Sequence, residues 1–282
     1  MRADLLQDKR IAIVFFGLVK NMSDGQAESY NDHVVQPLRD VGAIVHGYLH
    51  THKVETFTNA RNGEKCEAID QDATITRIRR ILPLETMKTD PSDTDTAYGP
   101  LERYTKNGCQ WHARFLPTTP LYYIRQLHSV MLSFSLIKCD ECVPDAVIFL
   151  RPDVMFHTSI CVNDVADACN ASGCFLTPAW NKFGGLNDRF AITSWQVAHI
   201  YANRLVDLEQ HVEQGFKLHA ERYLRRIVER YARTVHEPPL AQRDCSHVTF
   251  SRVRGNGKPK KERFDDAPET KVEFMCRCGI RV

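Results

Sequence analysis

The residues best placed for chemistry are an arginine and an aspartate two positions apart, and two further acids. Arg151-Pro152-Asp153 follows directly on the continuous apolar run of residues 146–150. Asp188 closes the glycine-rich stretch Gly184-Gly185-Leu186-Asn187-Asp188, and Glu221 lies further on in a segment patterned as a helix. In open α/β sheets ligands bind outside the carboxyl ends of the strands, so an acid delivered by a buried strand stands where chemistry is done. The chain has no GxxxxGK[ST], no GxGxxG after its first strand, no GxSxG and no HExxH. P-loop, dinucleotide-binding, serine-hydrolase and zincin chemistries are thereby disfavoured. The chemistry that suits the remaining arrangement is transfer from a nucleotide-activated donor, with a divalent ion held by carboxylate and phosphate oxygens.

Positioning these acids requires a sheet. Residues 10–16 form a short apolar run rich in β-branched side chains and ending at Gly17, which reads as a buried parallel strand. A helix is expected over residues 27–40, with Pro37 a candidate interruption, and a second strand over 43–49 that ends in the polar group His50-Thr51-His52. Strand, helix and strand in this order make a βαβ unit. Helical spacing recurs over 72–82, followed by a short strand around 84–87. Residues 89–120 carry no periodicity. The clearest helix is 121–137, with Ile124, Leu127, Met131 and Phe134 on one stripe. After the strand at 146–150 come a strand over 175–180, a turn through 184–192, and helices over 194–212 and 216–233. From about residue 236 the chain is Pro- and Arg-rich, with one strand-like piece at 248–253.

Composition narrows the class further. The 282 residues are 43% apolar and 26% charged, values of an ordinary globular protein with a sizeable core. Thirty-seven Lys and Arg against 35 Asp and Glu leave +2, which points to no polyanionic partner, and no nucleic acid is expected. The basic stretch of residues 251–263 reads as a solvated loop. No apolar run approaches the roughly 18–20 residues that span a bilayer. Met1 to Arg10 is charged where a signal peptide is apolar, so a soluble cytoplasmic protein is expected, in the host cytoplasm if the chain is viral. Of ten cysteines, Cys139/Cys142 and Cys276/Cys278 are close pairs, but their separation along the chain argues for free thiols rather than a zinc ribbon.

Four segments, in order, resemble GT-A-fold glycosyltransferases: residues 147–156 with Arg151-Pro-Asp153-Val154; residues 176–192 with Gly185-Leu-Asn-Asp188-Arg-Phe-Ala; Arg125-Gln126 with Ser129; and His219-Ala-Glu221-Arg-Tyr-Leu224. Within that fold the pattern is nearest to a group found in plants, algae and large algal viruses. The resemblance spans about residues 10–230 and implies an α/β fold: a GT-A-like, Rossmann-like, mostly parallel central sheet flanked by helices. It implies one domain over residues 1–235 and a C-terminal extension over 236–282 that packs on or near it. It also implies a soluble glycosyltransferase moving a sugar from a nucleotide diphosphate donor, UDP-sugar ahead of GDP-sugar, to a hydroxyl of a glycan acceptor.

The family's strand-end motif carries two acids, whereas here Arg151 stands at the first position. Asp153 alone is then the expected ligand of Mn²⁺ or Mg²⁺, unless it only caps the turn. Arg151 meets phosphate or donor sugar, or pairs within the site. Phe16, Gly17, Leu18, Lys20, Thr51, His52 and Arg125 are the expected contacts of base, ribose and phosphates. Asp188 is the expected base toward the acceptor hydroxyl or a contact of the donor sugar, its rival role being a turn cap, and Glu221 is the second catalytic candidate. His236 or His247 is a further metal-ligand candidate, and Trp180 either stacks on sugar or fills the core. The alternative function is a non-catalytic protein of the same fold, binding glycan or another partner.

Overall fold

Side-chain parity in the first strand divides the molecule into layers. In β1 (Arg10–Phe15) Ile11, Ile13 and Phe15 enter one apolar cluster, while Ala12, Val14 and the following Phe16 enter another on the opposite face. A strand buried on both faces must be covered by helices on both. In the computed structural model, which describes residues 5–59, 64–91, 99–111, 116, 118–137, 143–234, 240–254, 259–260 and 262, it is. The first face is covered by α1 (Asp24–Tyr30), a π-helical turn Asn31–Val35, α2 (Gln36–Arg39) and α3 (Gln71–Ile81). The helix expected over 27–40 is thus continuous but not uniform. Pro37 has no N–H to give to the carbonyl of His33, and the N–H of Ile160 takes that acceptor instead at 2.9 Å.

β2 (Ile44–Lys53) pairs in parallel with β1 and with β5 (Leu84–Pro91). Both run further than the expected 43–49 and 84–87, because each supplies the other's backbone partners. His50, Thr51 and His52 pair with Lys88, Thr89 and Asp90 and so lie within the strand rather than beyond it. An antiparallel hairpin, β3 (Thr56–Asn59) with β4 (Glu64–Ala68), stands apart from the main sheet. The aperiodic stretch 89–120 contains α4 (Glu102–Thr105) and the start of α5 (Thr118–Ser135). Ile124, Leu127 and Val130 of α5 pack on the second face.

β6 (Ala146–Leu150) lies parallel to β1 on the side opposite β2, so the chain reverses its direction of travel across the sheet between β1 and β6. Such a switch point opens a crevice at the strands' carboxyl ends. β7 (Val154–Phe156) follows at once, then α6 (Val162–Asn170) and β8 (Cys174–Thr177). β8 stops short of the expected Trp180 because Pro178 cannot donate to the ladder. Residues 184–192, expected as a turn, in part form β9 (Phe190–Ser194), fully buried and antiparallel between β6 and β8. The helix expected over 194–212 breaks at Asn203 into α7 (Trp195–Ala202) and α8 (Arg204–Glu213), and α9 (Ala220–Thr234) completes the second face.

Beyond residue 236 the described chain returns to this framework. β10 (Ala241–Asp244) pairs in parallel with β8, and β11 (Phe250–Arg252) pairs antiparallel with β7. The sheet order is β10-β8-β9-β6-β1-β2-β5, a mixed, mostly parallel α/β sheet in which β9 alone runs against its neighbours. The strand-like piece expected over 248–253 is β11, in a two-stranded sheet with β7, so Ser251 and Arg252 are strand residues rather than part of a solvated basic loop, and Ser251 is buried. Among the described residues no helix is long and apolar enough to cross a membrane. Cys66, Cys109, Cys169, Cys174 and Cys245 are free thiols, while Cys139, Cys142, Cys276 and Cys278 lie outside the described residues.

Candidate active site

The turn after β6 is fixed by its backbone before its side chains act. Tyr30 donates from Oη to the carbonyl of Arg151 at 2.6 Å and accepts from the N–H of Val154 at 3.2 Å. Gln26 donates from Nε2 to the carbonyls of Pro152 and Val154 at 3.0 and 2.8 Å. From the other side the N–H of Val253 donates to the carbonyl of Asp153 at 2.7 Å. With the turn held by α1 and the segment after β11, Arg151 and Asp153 meet side by side. Arg151 Nε donates to Asp153 Oδ1 and Nη2 to Oδ2, both at 2.7 Å. Burial pushes the Asp153 carboxyl up, but the guanidinium on both its oxygens outweighs that and holds it well below the usual carboxylate range. Arg151 is raised in turn, its burial outweighed by Asp153.

Gln126 of α5 carries this pair across the crevice. Its Oε1 accepts from Arg151 Nη1, and its Nε2 donates to Asp188 Oδ2 at 3.2 Å. Asp188 is itself buried, and its carbonyl accepts from Tyr201 Oη at 2.5 Å. The segment before it packs against the first turn of α9: the N–H of Leu186 donates to the carbonyl of Glu221 at 3.0 Å. A Cβ on Gly185 would lie 2.0 Å from that carbonyl oxygen, which requires glycine at this position. Glu221 is buried, with His219 Nδ1 3.4 Å from its Oε2, and the His219 ring stacks on Trp111 at 5.9 Å between centroids.

The opposite wall comes from the ends of β1 and β2. Gly17 turns the chain at φ +94° and donates its N–H to Ser129 Oγ at 2.8 Å. Lys20 Nζ pairs with Glu64 at 3.0 Å and sits 4.1 Å from the centre of the Phe57 ring; burial lowers its pKa. Behind His52 lie His50 and His128, with ring centroids 5.3–6.0 Å apart. Burial pushes His50 down to about 4, although its Nε2 lies 3.1 Å from Asp90 Oδ2.

These walls enclose a cavity of about 520 Å³. Gly17, Leu18, Lys20, His52, Arg125, Arg151, Asp153, Asp188 and Glu221 all line it. Phe16 and Thr51, expected beside them, are not on its wall. Strand parity turns Phe16 into the second core face, 5.9 Å from the Tyr201 ring, and Thr51 is fully buried with its Oγ1 accepting from the N–H of Val19. Trp180 is a core residue: it is 1% exposed, its Nε1 donates to the carbonyl of Val248, and Phe250 covers its ring at 4.8 Å. His247 is not on the wall, and His236 lies outside the described residues.

Arg189, Arg252 and Arg254 line the cavity without having been expected there. Arg189 adjoins Asp188 and was legible as a neighbour of a candidate. The two later arginines come from a stretch whose strand pairing no local pattern reveals. Among the described lining residues, six basic side chains (Lys20, Arg125, Arg151, Arg189, Arg252 and Arg254) face three carboxylates. A cavity of this size with that balance suits an anion carrying further polar groups.

The divalent ion expected at Asp153 finds a poor set of donors. Both Asp153 oxygens already accept from Arg151, and among the described residues no three His, Cys, Asp or Glu side chains gather in a metal-holding group. The residues present do not fit a metal centre.

No protein-family profile matches the chain, and no curated protein sequence matches it. Among solved structures it is similar to mouse xyloside xylosyltransferase 1 in its apo form, at 10% identity and a TM-score of 0.41, covering 86% of this chain and 87% of that one. It is also similar to the galactosyltransferase LgtC in complex with donor and acceptor sugar analogues, at 10% identity and a TM-score of 0.35, covering 76% of this chain and 69% of the other.

Proposed function

We propose that the chain is a glycosyltransferase that moves a sugar from a nucleoside-diphosphate donor to a hydroxyl of a glycan acceptor. The observation that carries this reading is the cavity itself. It opens at the switch point between β1 and β6, with basic side chains at the strand ends and Asp188 and Glu221 across from them. The GT-A-like pattern at Arg151–Val154 and Gly185–Ala191 supports the same reading. The donor nucleoside lies against Gly17, Leu18 and His52, and its diphosphate against the basic wall. UDP is the first nucleotide to test and GDP the second.

In the transfer the acceptor oxygen bonds to the anomeric carbon. The bond from that carbon to the diphosphate oxygen breaks, and its electron pair leaves with the nucleoside diphosphate. The acceptor's proton passes to a carboxylate, for which Asp188 is the first candidate and Glu221 the second. Asp188 Oδ2 accepts from Gln126 at 3.2 Å, and among the described residues no hydrogen bond is made to its other oxygen, which is left to take the proton. Positive side chains on the opposite wall stabilise the departing charge.

Thermal-shift measurements with UDP, GDP and CMP, each with and without Mn²⁺, test the proposal. A ligand at a hundred times its Kd adds about 2.7 kcal/mol to the folded state, a Tm rise of roughly 5 °C. No rise with any nucleotide would sink the donor reading. A rise with no turnover of the matching nucleotide sugar would favour the non-catalytic alternative.

A further inference from the structure

Three guanidinium groups that line the cavity, those of Arg151, Arg189 and Arg252, have the makings of an anion receptor. Arg151 is held in place by both oxygens of Asp153, so the one carboxylate beside it is neutralised. Arg189 is 7% exposed, and its Nη1 has no hydrogen-bond partner among the described residues. A buried N–H of a charged group left without a partner is costly, and a ligand oxygen is the natural way to satisfy it. Arg252 is brought alongside by the pairing of β11 with β7, in which it stands opposite Val154, next to Asp153. Burial lowers the pKa of Arg252, and the charges of Arg189 and Arg151 lower it further, while Glu262, whose Oε1 lies 3.4 Å from Arg252 Nε, offsets part of that repulsion. Three cations held close, with only Asp153 and Glu262 among the described carboxylates paired to them, are preorganised for a polyanion, whose arrival converts their remaining repulsion into attraction.

Resting on the nucleotide-sugar reading above, we infer that Arg151, Arg189 and Arg252 hold the donor diphosphate directly, without a divalent ion, and that Asp153 serves to fix Arg151 rather than to ligate a metal. A divalent cation entering among these groups would meet three guanidiniums and a carboxylate already paired. The same groups take up the negative charge that the diphosphate gains when its bond to the anomeric carbon breaks, so leaving-group stabilisation needs no metal. Guanidiniums suit the task because each carries five N–H donors: Arg151 keeps one N–H on each terminal nitrogen beyond those given to Asp153 and Gln126, and Arg189 Nη1 is unpartnered among the described residues.

The test is isothermal titration of the full-length protein with UDP and GDP, and with UMP and GMP as controls, in excess EDTA and again in Mn²⁺. The expected result is diphosphate binding of equal strength in both buffers, with the diphosphate preferred over the monophosphate. Arg189→Gln and Arg252→Gln should each weaken diphosphate binding by roughly 10- to 100-fold while changing monophosphate binding far less. Arg252→Gln, on the short strand β11 that pairs with β7, serves as the second variant should Arg189→Gln not fold. Diphosphate binding that requires Mn²⁺ would overturn the inference and leave the donor reading standing. Folded variants that keep the full preference for diphosphate would also overturn it. No binding of UDP or GDP in either buffer would overturn both the inference and the reading beneath it.

Discussion

Replacing Asp153 by Ala separates a carboxylate that anchors an arginine from one waiting for a metal, and it does so in the ligand-free protein. Asp153 is 5% exposed and takes two 2.7 Å hydrogen bonds from Arg151. Lys20 and Arg252 add positive charge around it. Removing the carboxylate leaves Arg151 buried beside Lys20 and Arg252, with Gln126, the more distant charge of Asp188 and whatever water can enter to compensate. Breaking a buried, hydrogen-bonded ion pair by deleting one partner costs about 3–5 kcal/mol. At about 2 °C per kcal/mol for a chain of this size, Tm should fall by roughly 6–10 °C. Differential scanning calorimetry in EDTA reads the change. A second substitution, Arg151→Met, removes the stranded cation, so the double variant should recover a good part of the loss, which a double-mutant cycle measures as coupling. An idle, unpaired aspartate behaves in the opposite way, since removing it also removes the cost of burying its charge. A Tm that holds or rises in Asp153→Ala, or an absence of coupling with Arg151→Met, refutes the anchoring role.

Three further outcomes follow from the packing. Burial pushes His50 and His211 down to about 4 from 6.5, so the unfolded chain binds more protons than the folded one between those values. Stability should therefore be full above pH 6.5 and fall as pH drops toward 4, by roughly 3 kcal/mol for each histidine, as urea midpoints across that window will show. A flat profile would contradict the burial of these rings. Trp180→Ala should lower stability by about 3–5 kcal/mol, because it empties the space between Val248 and Phe250; a loss under about 1 kcal/mol would mean that the ring is not in the core. Gly185→Ala should cost about 2 kcal/mol or more and weaken nucleotide-dependent activity together, because its Cβ collides with the Glu221 carbonyl; a fully active, stable variant would show that the loop does not pack on α9.

The strands that build the crevice were legible because residues 11–16 and 146–150 are apolar at every position, a pattern with few outcomes besides a two-sided buried strand. Arg151, Asp153, Asp188 and Glu221 could be named because each stands at a punctuation point: a strand end, a glycine turn or a helix start. Their arrival at one cavity was not legible. It depends on Gln126 reaching both Arg151 and Asp188 from a helix that local periodicity places but does not orient. Phe16 and Thr51 were misplaced because nearness to a strand end was read without parity, and a shift of one residue reverses the face. β9 was hidden by the glycines before it, which made Phe190–Ser194 look like the tail of a turn. Arg252 was hidden by the pairing of β11 with β7, a contact between distant parts of the chain that no window of sequence contains.

Turnover of a radiolabelled UDP-sugar or GDP-sugar in the presence of a glycan mixture tests the central claim most directly, with wild type and Asp188→Asn side by side. The account predicts that the wild type releases nucleoside diphosphate and labels an acceptor. Asp188→Asn should bind the nucleoside diphosphate nearly as well but lose transfer by about 100-fold or more, the contribution of a general base. Undiminished transfer by Asp188→Asn would remove it as the base, and wild-type protein that binds these donors yet never cleaves them would contradict the assignment of a glycosyltransferase.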